Sequence, residues 1–302
     1  MKLSEAFALH QKNEIRAVNY SVNTLRSYQN AGRAAIKYYG DINIKKLDVG
    51  IVHDFYLYLT ERVSKNTAQR YLTCLRTVIK TCRRYGIKTM NPEEIITPRS
   101  EKKVARFVTE SEYQRFLACA GKTGRGYAKA NVARNVLIIR TIYETGIRVG
   151  ELCALDRDSI NNRQFVVVGK SKDPRPCFIT EELERALAEY LATRTDQNPA
   201  LFISNQTGAR MTTHNVQEVF RHISKKSHVE NVTPHTLRHA YATRFLEKGV
   251  DIRIVAAMLG HQNITTTQTY THVTNCFLKM VYDKVNDPNY TPAFFMPALA
   301  KM

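Results

Sequence analysis

Apolar residues recur every three or four positions through most of this chain, and that spacing is typical of α-helices. In the first hundred residues it predicts three helices: one beginning at Ser21 and ending before Gly40, one over residues 49–59 and one over residues 64–85. Ser21 suits an N-cap because its hydroxyl can accept a hydrogen bond from a free backbone amide of the first turn. The first third of the chain is therefore predicted to be helical.

After residue 107 the helical pattern is interrupted once, by a short β-hairpin. Thr109 and Glu112 stand three apart, as in a capping box, and predict a helix start. Extended runs over 164–168 and 176–180 flank a polar tip that contains Lys170 and Lys172, and this arrangement predicts the hairpin. Further helices are predicted over residues 132–144, 181–194, 213–226, 234–248, 251–260, 264–271 and 275–287. The predicted fold class is mainly α, with a small β-hairpin in the second half.

A polar stretch marked by Pro92 and Pro98 separates the two halves and has no apolar periodicity. Such a stretch is typical of an interdomain linker. We therefore predict an N-terminal helical domain over residues 1–98, a linker over 99–106 and a C-terminal domain over 107–302.

The chain has 302 residues, 43% of them hydrophobic, which is enough for two ordinary domains and excludes global disorder. Its formal net charge is +18. Residues 1–106 carry 20 Lys and Arg against 9 Asp and Glu, and the rest of the chain carries 25 against 18. Because both halves are basic, both are expected to contact the same polyanion, with nucleic acid as the leading candidate.

The helix predicted over residues 64–85 has one apolar face and one basic face. A charged helix face is usually only solvated, but this one has no acidic residue to balance it. We therefore predict that it faces DNA, through Lys65, Arg70, Arg76, Lys80, Arg83 and Arg84.

Six cysteines are irregularly spaced and form no CxxC pair, which argues against a zinc ribbon or a disulfide framework. The first residues lack the apolar run of a signal peptide, and no apolar stretch approaches the roughly 20 residues that span a bilayer. These features predict a cytoplasmic, nucleoid-associated protein that does not enter a membrane.

Three short motifs carry the candidate chemistry: Arg148 within residues 145–152, His235 and Arg238 within residues 235–239, and His261 directly after Gly260. Tyr270 follows. Arginine forks bind phosphate, histidines move protons near neutral pH, and a tyrosine hydroxyl can act as a nucleophile. The set predicts DNA strand cleavage by tyrosine, without a cofactor.

A zinc site is the competing interpretation of the second motif. His235 and His239 have the spacing of the histidines in HExxH, but position 236 is a threonine, so the catalytic glutamate of that motif is missing. No metal ion is therefore predicted.

In this order, the motifs resemble those of the tyrosine recombinase (phage integrase) family, close in layout to the Xer recombinases, over nearly the whole chain. The resemblance implies that Arg148 and Arg238 bind the non-bridging oxygens of the scissile phosphate. It also implies that Tyr270 attacks phosphorus and forms a 3′-phosphotyrosyl bond.

The remaining roles also follow from the resemblance. Lys170 would protonate the leaving 5′-oxygen, with Lys172 as its competitor; if Lys170 has this role, Lys172 would bind DNA. His235 would act as a general acid and base, and His261 would donate a hydrogen bond to the phosphate. Glu151 and His239 would support the site, although an ordinary glutamate on the helix surface is nearly as good an interpretation of Glu151.

The implied architecture is a C-shaped DNA clamp of two domains, a SAM-like helical core-binding domain and a catalytic domain. Its partner would be double-stranded DNA with inverted-repeat half-sites. It would recombine this DNA through a Holliday junction as a homo-tetramer, or as a hetero-tetramer with a second recombinase, independently of metal and ATP. The terminal helix is predicted to dock on a neighbouring protomer, as the resemblance implies; packing on its own domain is the competing interpretation. Two other functions stay open, a type IB topoisomerase and a non-catalytic DNA-binding protein.

Overall fold

This computed structural model describes residues 1–15, 22–97, 108–122, 129–169, 174–260, 275–287 and 289. The chain forms two compact units, Met1–Val104 and Ala105–Met302. The predicted linker over 99–106 and the predicted helix over 264–271 lie outside the described residues.

The described part of the first unit contains four α-helices: α1 (Leu3–His10), α2 (Val22–Tyr39), α3 (Val49–Thr60) and α4 (Lys65–Arg84). The last three confirm the sequence predictions. The sequence interpretation missed α1, because eight residues give little more than two turns of a periodic pattern.

The core of the first unit forms around α4, whose apolar face was predicted correctly from its spacing. Leu75, Val78 and Ile79 are fully buried there, and Phe55 of α3 is buried in the same cluster. Ser64 begins α4 by accepting a hydrogen bond from the Thr67 amide. The opposite face of α4 is left at the surface.

The second unit is also mainly helical in its described residues, as predicted. Its helices are α5 (Glu110–Ala120), α6 (Lys129–Thr145), α7 (Val149–Ala154), α8 (Glu181–Ala192), α9 (Thr213–Ser227), α10 (Pro234–Glu247), α11 (Ile252–Leu259) and α12 (Asn275–Val285). Strands β1 (Gln164–Val168) and β2 (Pro174–Phe178) pair antiparallel. This confirms the hairpin, although β2 begins two residues before the predicted run. The sequence interpretation missed α7, which has only six residues.

Helix α6 forms the centre of the second unit. Ile138, Ile139 and Ile142 have no exposed surface and belong to the larger of the two apolar clusters in this unit. Helix α5 begins with the predicted capping box, in which the Thr109 amide donates to the Glu112 carboxylate at 3.0 Å. The buried helix α6 therefore ends at the segment that carries Arg148.

Helix α12 packs on its own unit. Val281 and Tyr282 are buried in a second apolar cluster that includes Phe178 of β2 and Phe245 of α10. Lys248 donates a hydrogen bond to the carbonyl of Val285 at the end of α12. These contacts correspond to the competing interpretation from the sequence, in which the terminal helix packs on its own domain rather than on a neighbouring protomer.

None of the helices within the described ranges combines the length and the apolar character needed to cross a bilayer.

Candidate active site

The turn between α6 and α7 fixes the position of Arg148. Helix α6 ends at Thr145, and Gly146 follows with a left-handed φ of +63°. Arg148 is the N-cap of α7, and its backbone amide donates to the carboxylate of Glu151 at 2.9 Å. A carboxylate in the first turn of a helix accepts an amide that has no partner within the helix and also interacts favourably with the helix dipole. Glu151 is thus part of the turn, which favours the supporting role over an ordinary surface glutamate.

Gly146 has both a backbone and a packing reason to be glycine. A Cβ atom at this position would lie 2.7 Å from side-chain atoms of Leu259 and Tyr241. We expect Gly146→Ala to lower the free energy of unfolding of the second unit by about 2–4 kcal/mol, from left-handed strain and overpacking together.

Urea unfolding of the full chain tests this prediction, with Gly208→Ala as the matched control. Gly208 has a φ of +65°, but a Cβ atom there would have no neighbouring atom within 4 Å. The control should therefore show the strain alone, and equal losses in the two variants would contradict the packing argument.

Two arginines from different elements converge on the end of α11. Arg148 donates from Nη2 to the carbonyl of Gly260 at 3.3 Å, and Arg238 of α10 donates to the adjacent carbonyl of Leu259 at 2.7 Å. Arg238 also donates to the carbonyl of Gly146. The Arg148 side chain is 39% exposed, whereas Arg238 is 6% exposed. The two guanidinium groups therefore share one location, with Arg148 at its open side.

The electrostatics of this location favour an anion. Burial, together with repulsion by Arg148 and Arg175, lowers the pKa of Arg238 to about 10. The guanidinium still stays charged at neutral pH. Three guanidinium groups surround one carboxylate, that of Glu151, so positive charge is in excess. A bound phosphodiester would relieve this excess.

The two histidines of α10 lie one turn apart and contact each other. Their Nε2 atoms are 3.0 Å apart, with one nitrogen donating and the other accepting, and the rings meet edge to face. Burial lowers the pKa of His239, and the proximity of His235 and Arg238 lowers it further, so His239 is neutral at neutral pH. His235, by contrast, is exposed at the surface.

The structure places only part of the predicted site. It brings together Arg148, Glu151, His235, Arg238 and His239. Lys170, Lys172, His261 and Tyr270 lie outside the described residues. Across the described ranges, no group of three or more His, Cys, Asp or Glu residues could hold a metal ion.

The sequence interpretation missed Arg175. This residue lies on β2 opposite Val167, on the same buried face as Cys177. Its guanidinium donates to both carboxylate oxygens of Glu151, at 3.1 and 2.8 Å. The sequence did hold a signal, because period-two alternation places Arg175 on the apolar face of the hairpin, where an arginine requires a partner.

On the basic face of α4, in the first unit, at least four of the six residues that were predicted to face DNA have partners within the chain, and the DNA contact itself stays a prediction. Arg76 and Lys80 pair with Glu93, and Arg84 pairs with Glu14. Arg83 donates to the carbonyls of residues 89 and 90. The premise that this face lacks acidic partners was therefore wrong, because the partners come from other segments of the chain. Lys65 and Arg70, in the N-terminal half of α4, are exposed.

Two family models match the chain. The model described as the phage integrase family matches residues 106–275, and the phage integrase SAM-like domain matches residues 3–98. Tyrosine recombinase XerA of Thermococcus kodakarensis is 30% identical, with 87% of this chain and 89% of the relative covered. Tyrosine recombinase XerC of Pelobacter propionicus is 31% identical, with 97% of both chains covered.

Solved structures show the same fold. An integrase of the Tn1549 transposon in complex with a circular intermediate DNA has a TM-score of 0.72 and 21% identity, over 94% of this chain and 99% of that one. A lambda integrase tetramer bound to a Holliday junction has a TM-score of 0.71 and 17% identity, over 88% of this chain and 79% of that one.

Proposed function

Because the chain belongs to the phage integrase family of tyrosine recombinases, we propose that it cleaves and rejoins DNA at specific sites through a 3′-phosphotyrosyl intermediate. The observation that carries this proposal is the convergence of Arg148 and Arg238 on the adjacent carbonyls of Leu259 and Gly260. Two arginine forks at one open location suit the two non-bridging oxygens of a phosphodiester.

The arginine pair would act mainly in the transition state. When a nucleophile attacks phosphorus, negative charge on the non-bridging oxygens grows, and donors already in place stabilise it without reorganising. Arg238 is fixed by two carbonyls, and Arg148 is fixed by Glu151. This preorganisation is the structural support for a role in catalysis rather than in binding alone.

The other roles in the proposal come from the family resemblance. Tyr270 attacks the scissile phosphorus, and its phenolic proton passes to His235. The 5′-oxygen leaves with a proton from Lys170, and His261 donates a hydrogen bond to the phosphate. Rejoining reverses these steps, with the 5′-hydroxyl as the nucleophile and the tyrosine as the leaving group.

The proposed chemistry includes no metal ion and no nucleotide. The phosphotyrosyl ester retains the energy of the broken phosphodiester, so rejoining requires no ATP. The arginine pair supplies the positive charge that a divalent cation supplies in many nucleases.

The proposed partner is double-stranded DNA with inverted-repeat half-sites, bound in the cytoplasm by a tetramer that forms a Holliday junction. Residues 1–98 would form the core-binding domain, 99–106 the linker and 107–302 the catalytic domain of a clamp around DNA. The basic excess of both halves supports this proposal, as do the exposed residues Lys65 and Arg70 in the N-terminal half of α4.

Sequencing DNA fragments that become covalently attached to the wild-type protein tests the proposed function. The protein is incubated with sheared host genomic DNA, denatured and recovered with its attached fragments. Attachment at one or a few inverted repeats is the expected result. Attachment without sequence preference would instead support the topoisomerase function, and binding without attachment would support a non-catalytic DNA-binding protein.

The two lysines of the hairpin tip give a separate prediction. If Lys170 protonates the leaving oxygen, Lys170→Ala should slow cleavage on the order of 100-fold, because general acid catalysis is lost. A 5′-phosphorothiolate substrate should restore the rate, since its sulfur leaves without a proton. Lys172→Ala is the matched control, and restoration in that variant alone would transfer the role to Lys172. Single-turnover cleavage of the two substrates gives the required rates.

A further inference from the structure

One carboxylate, that of Glu151, holds two arginines. Arg148 donates to it from its backbone amide and from Nη1, each at 2.9 Å. Arg175 donates to the same two oxygens through its planar fork, at 3.1 and 2.8 Å. Such bidentate pairs fix the orientation of both planes. The position of the Arg148 side chain therefore depends on a residue that lies on the hairpin.

Arg175 is enclosed by the protein, and its guanidinium is occupied by partners within it. Its side chain is 8% exposed, and its Nε donates to the carbonyl of Met258 at 3.1 Å. Together with the fork to Glu151, all three nitrogens of the guanidinium donate within the protein. Arg175 is thus not placed to bind a phosphate directly.

The contacts of Arg175 connect three elements of the site. Its backbone lies on β2, its fork reaches Glu151 on α7, and its Nε reaches Met258 on α11. Gly260 packs against it so closely that a Cβ atom there would lie 2.8 Å from Cδ of Arg175. The hairpin, the Arg148 turn and the end of α11 are therefore held in one arrangement by one side chain.

The shared carboxylate also distributes charge. Burial alone would raise the pKa of Glu151, but hydrogen bonds from Arg175 and Arg148 outweigh it and lower that pKa to about 2. Glu151 is therefore ionised, with one negative charge between two positive ones. Without Arg175, its whole charge would pair with Arg148, which would leave Arg148 less available to a phosphate.

We propose that Arg175 is a positioning residue, which holds Arg148 in its phosphate-binding place by sharing Glu151 with it. This inference rests on the proposed function. It adds a residue outside the predicted site to the machinery of cleavage.

Arg175→Lys tests the proposal, because lysine keeps the charge but cannot form the fork. The substrate is a duplex with a cleavage site recovered from the covalently attached fragments, nicked beside the scissile phosphate so that cleavage cannot be reversed. We expect single-turnover cleavage to slow about 100-fold, since small displacements of a catalytic group can cost that much. DNA affinity should be retained.

Arg194→Lys is the matched control. Arg194 is 5% exposed and forms a fork with Asp196, at 2.9 and 2.6 Å, but this pair does not include Glu151. A loss of rate that reflects only a weakened fold should therefore appear in both variants. Thermal unfolding of each variant measures that contribution.

A methylphosphonate at the scissile position separates positioning from a merely structural role. Replacing one non-bridging oxygen with methyl removes the charge that Arg148 would neutralise, so a variant with a misplaced Arg148 should lose less rate on it. We expect Arg175→Lys to slow cleavage of one methylphosphonate stereoisomer at least about tenfold less than it slows cleavage of the phosphodiester. Arg148→Ala should show the same reduction. Arg194→Lys should show no such change.

An equal slowing of Arg175→Lys on the phosphodiester and on both methylphosphonates would overturn the inference. If Arg175→Lys does not fold, Glu151→Gln tests the same bridge, because an amide has a single acceptor oxygen and cannot accept both arginine side chains as the carboxylate does. Its slowing should shrink on the same methylphosphonate stereoisomer. A wild-type protein that forms no covalent attachment would instead contradict the proposed function itself.

Discussion

Replacing Tyr270 with phenylalanine should abolish covalent attachment to DNA and leave DNA affinity unchanged. The substitution removes one hydroxyl, which is the proposed nucleophile, and retains the ring. Loss of a nucleophile typically lowers the rate by a factor on the order of 10⁴ or more, and no residual path can form the phosphotyrosyl bond. Denaturing gel electrophoresis detects the attachment, and a gel-shift titration under native conditions measures the affinity.

The other tyrosines of the second unit support this assignment by elimination. Burial raises the pKa of every tyrosine that the structure describes there: Tyr113, Tyr143, Tyr190, Tyr241 and Tyr282. Each is at most 5% exposed. A buried phenol with a raised pKa neither reaches a phosphate nor ionises readily, so these five are poor nucleophiles.

Two further tyrosines of the second unit, Tyr127 and Tyr290, lie outside the described residues and serve as matched controls. Tyr127→Phe and Tyr290→Phe should retain covalent attachment. Attachment that persists in Tyr270→Phe and disappears in either control would move the nucleophile to that residue. Loss of DNA affinity in Tyr270→Phe would also count against a purely chemical role.

Local sequence signals predicted the helices and the hairpin because the responsible contacts lie within a few residues. The Thr109–Glu112 capping box spans three positions, and Gly260 ends α11 with a left-handed φ of +64°, as a C-terminal glycine should. Helix α7 was missed because its formation depends on packing and on the Glu151 cap rather than on a long periodic pattern.

Long-range pairs could not be predicted in the same way. Arg175 and Glu151 are 24 positions apart, and Arg84 and Glu14 are 70 apart. Nothing in the local spacing shows which acidic residue meets which basic one. The sequence therefore indicated the residue types of the candidate site but neither the carboxylate that joins Arg148 to Arg175 nor the pairs that occupy half of α4.

Arg238→Lys should give the second largest loss, a fall in single-turnover cleavage on the order of 10³, as for removal of a preorganised transition-state donor. The guanidinium of Arg238 donates to the carbonyls of Gly146 and Leu259. A lysine ammonium is a point donor on a flexible stem and cannot hold both carbonyls while also facing a phosphate. DNA affinity should fall much less than the rate, because many other basic residues contribute to it.

Arg244→Lys is the control for this prediction, since Arg244 lies on the same helix and its guanidinium stacks 4.9 Å from the centre of the Tyr143 ring, away from both carbonyls. Cleavage at saturating DNA and the dissociation constant are measured for both variants, together with their thermal unfolding. If cleavage by Arg238→Lys falls only in proportion to the folded fraction, Arg238 stabilises the turn and has no further role in cleavage. We expect a large fall in the cleavage rate even when Arg238→Lys is fully folded and saturated with DNA. The reason is that the guanidinium of Arg238, which binds the Gly146 turn and the end of α11, also stabilises the charge that develops on the phosphate.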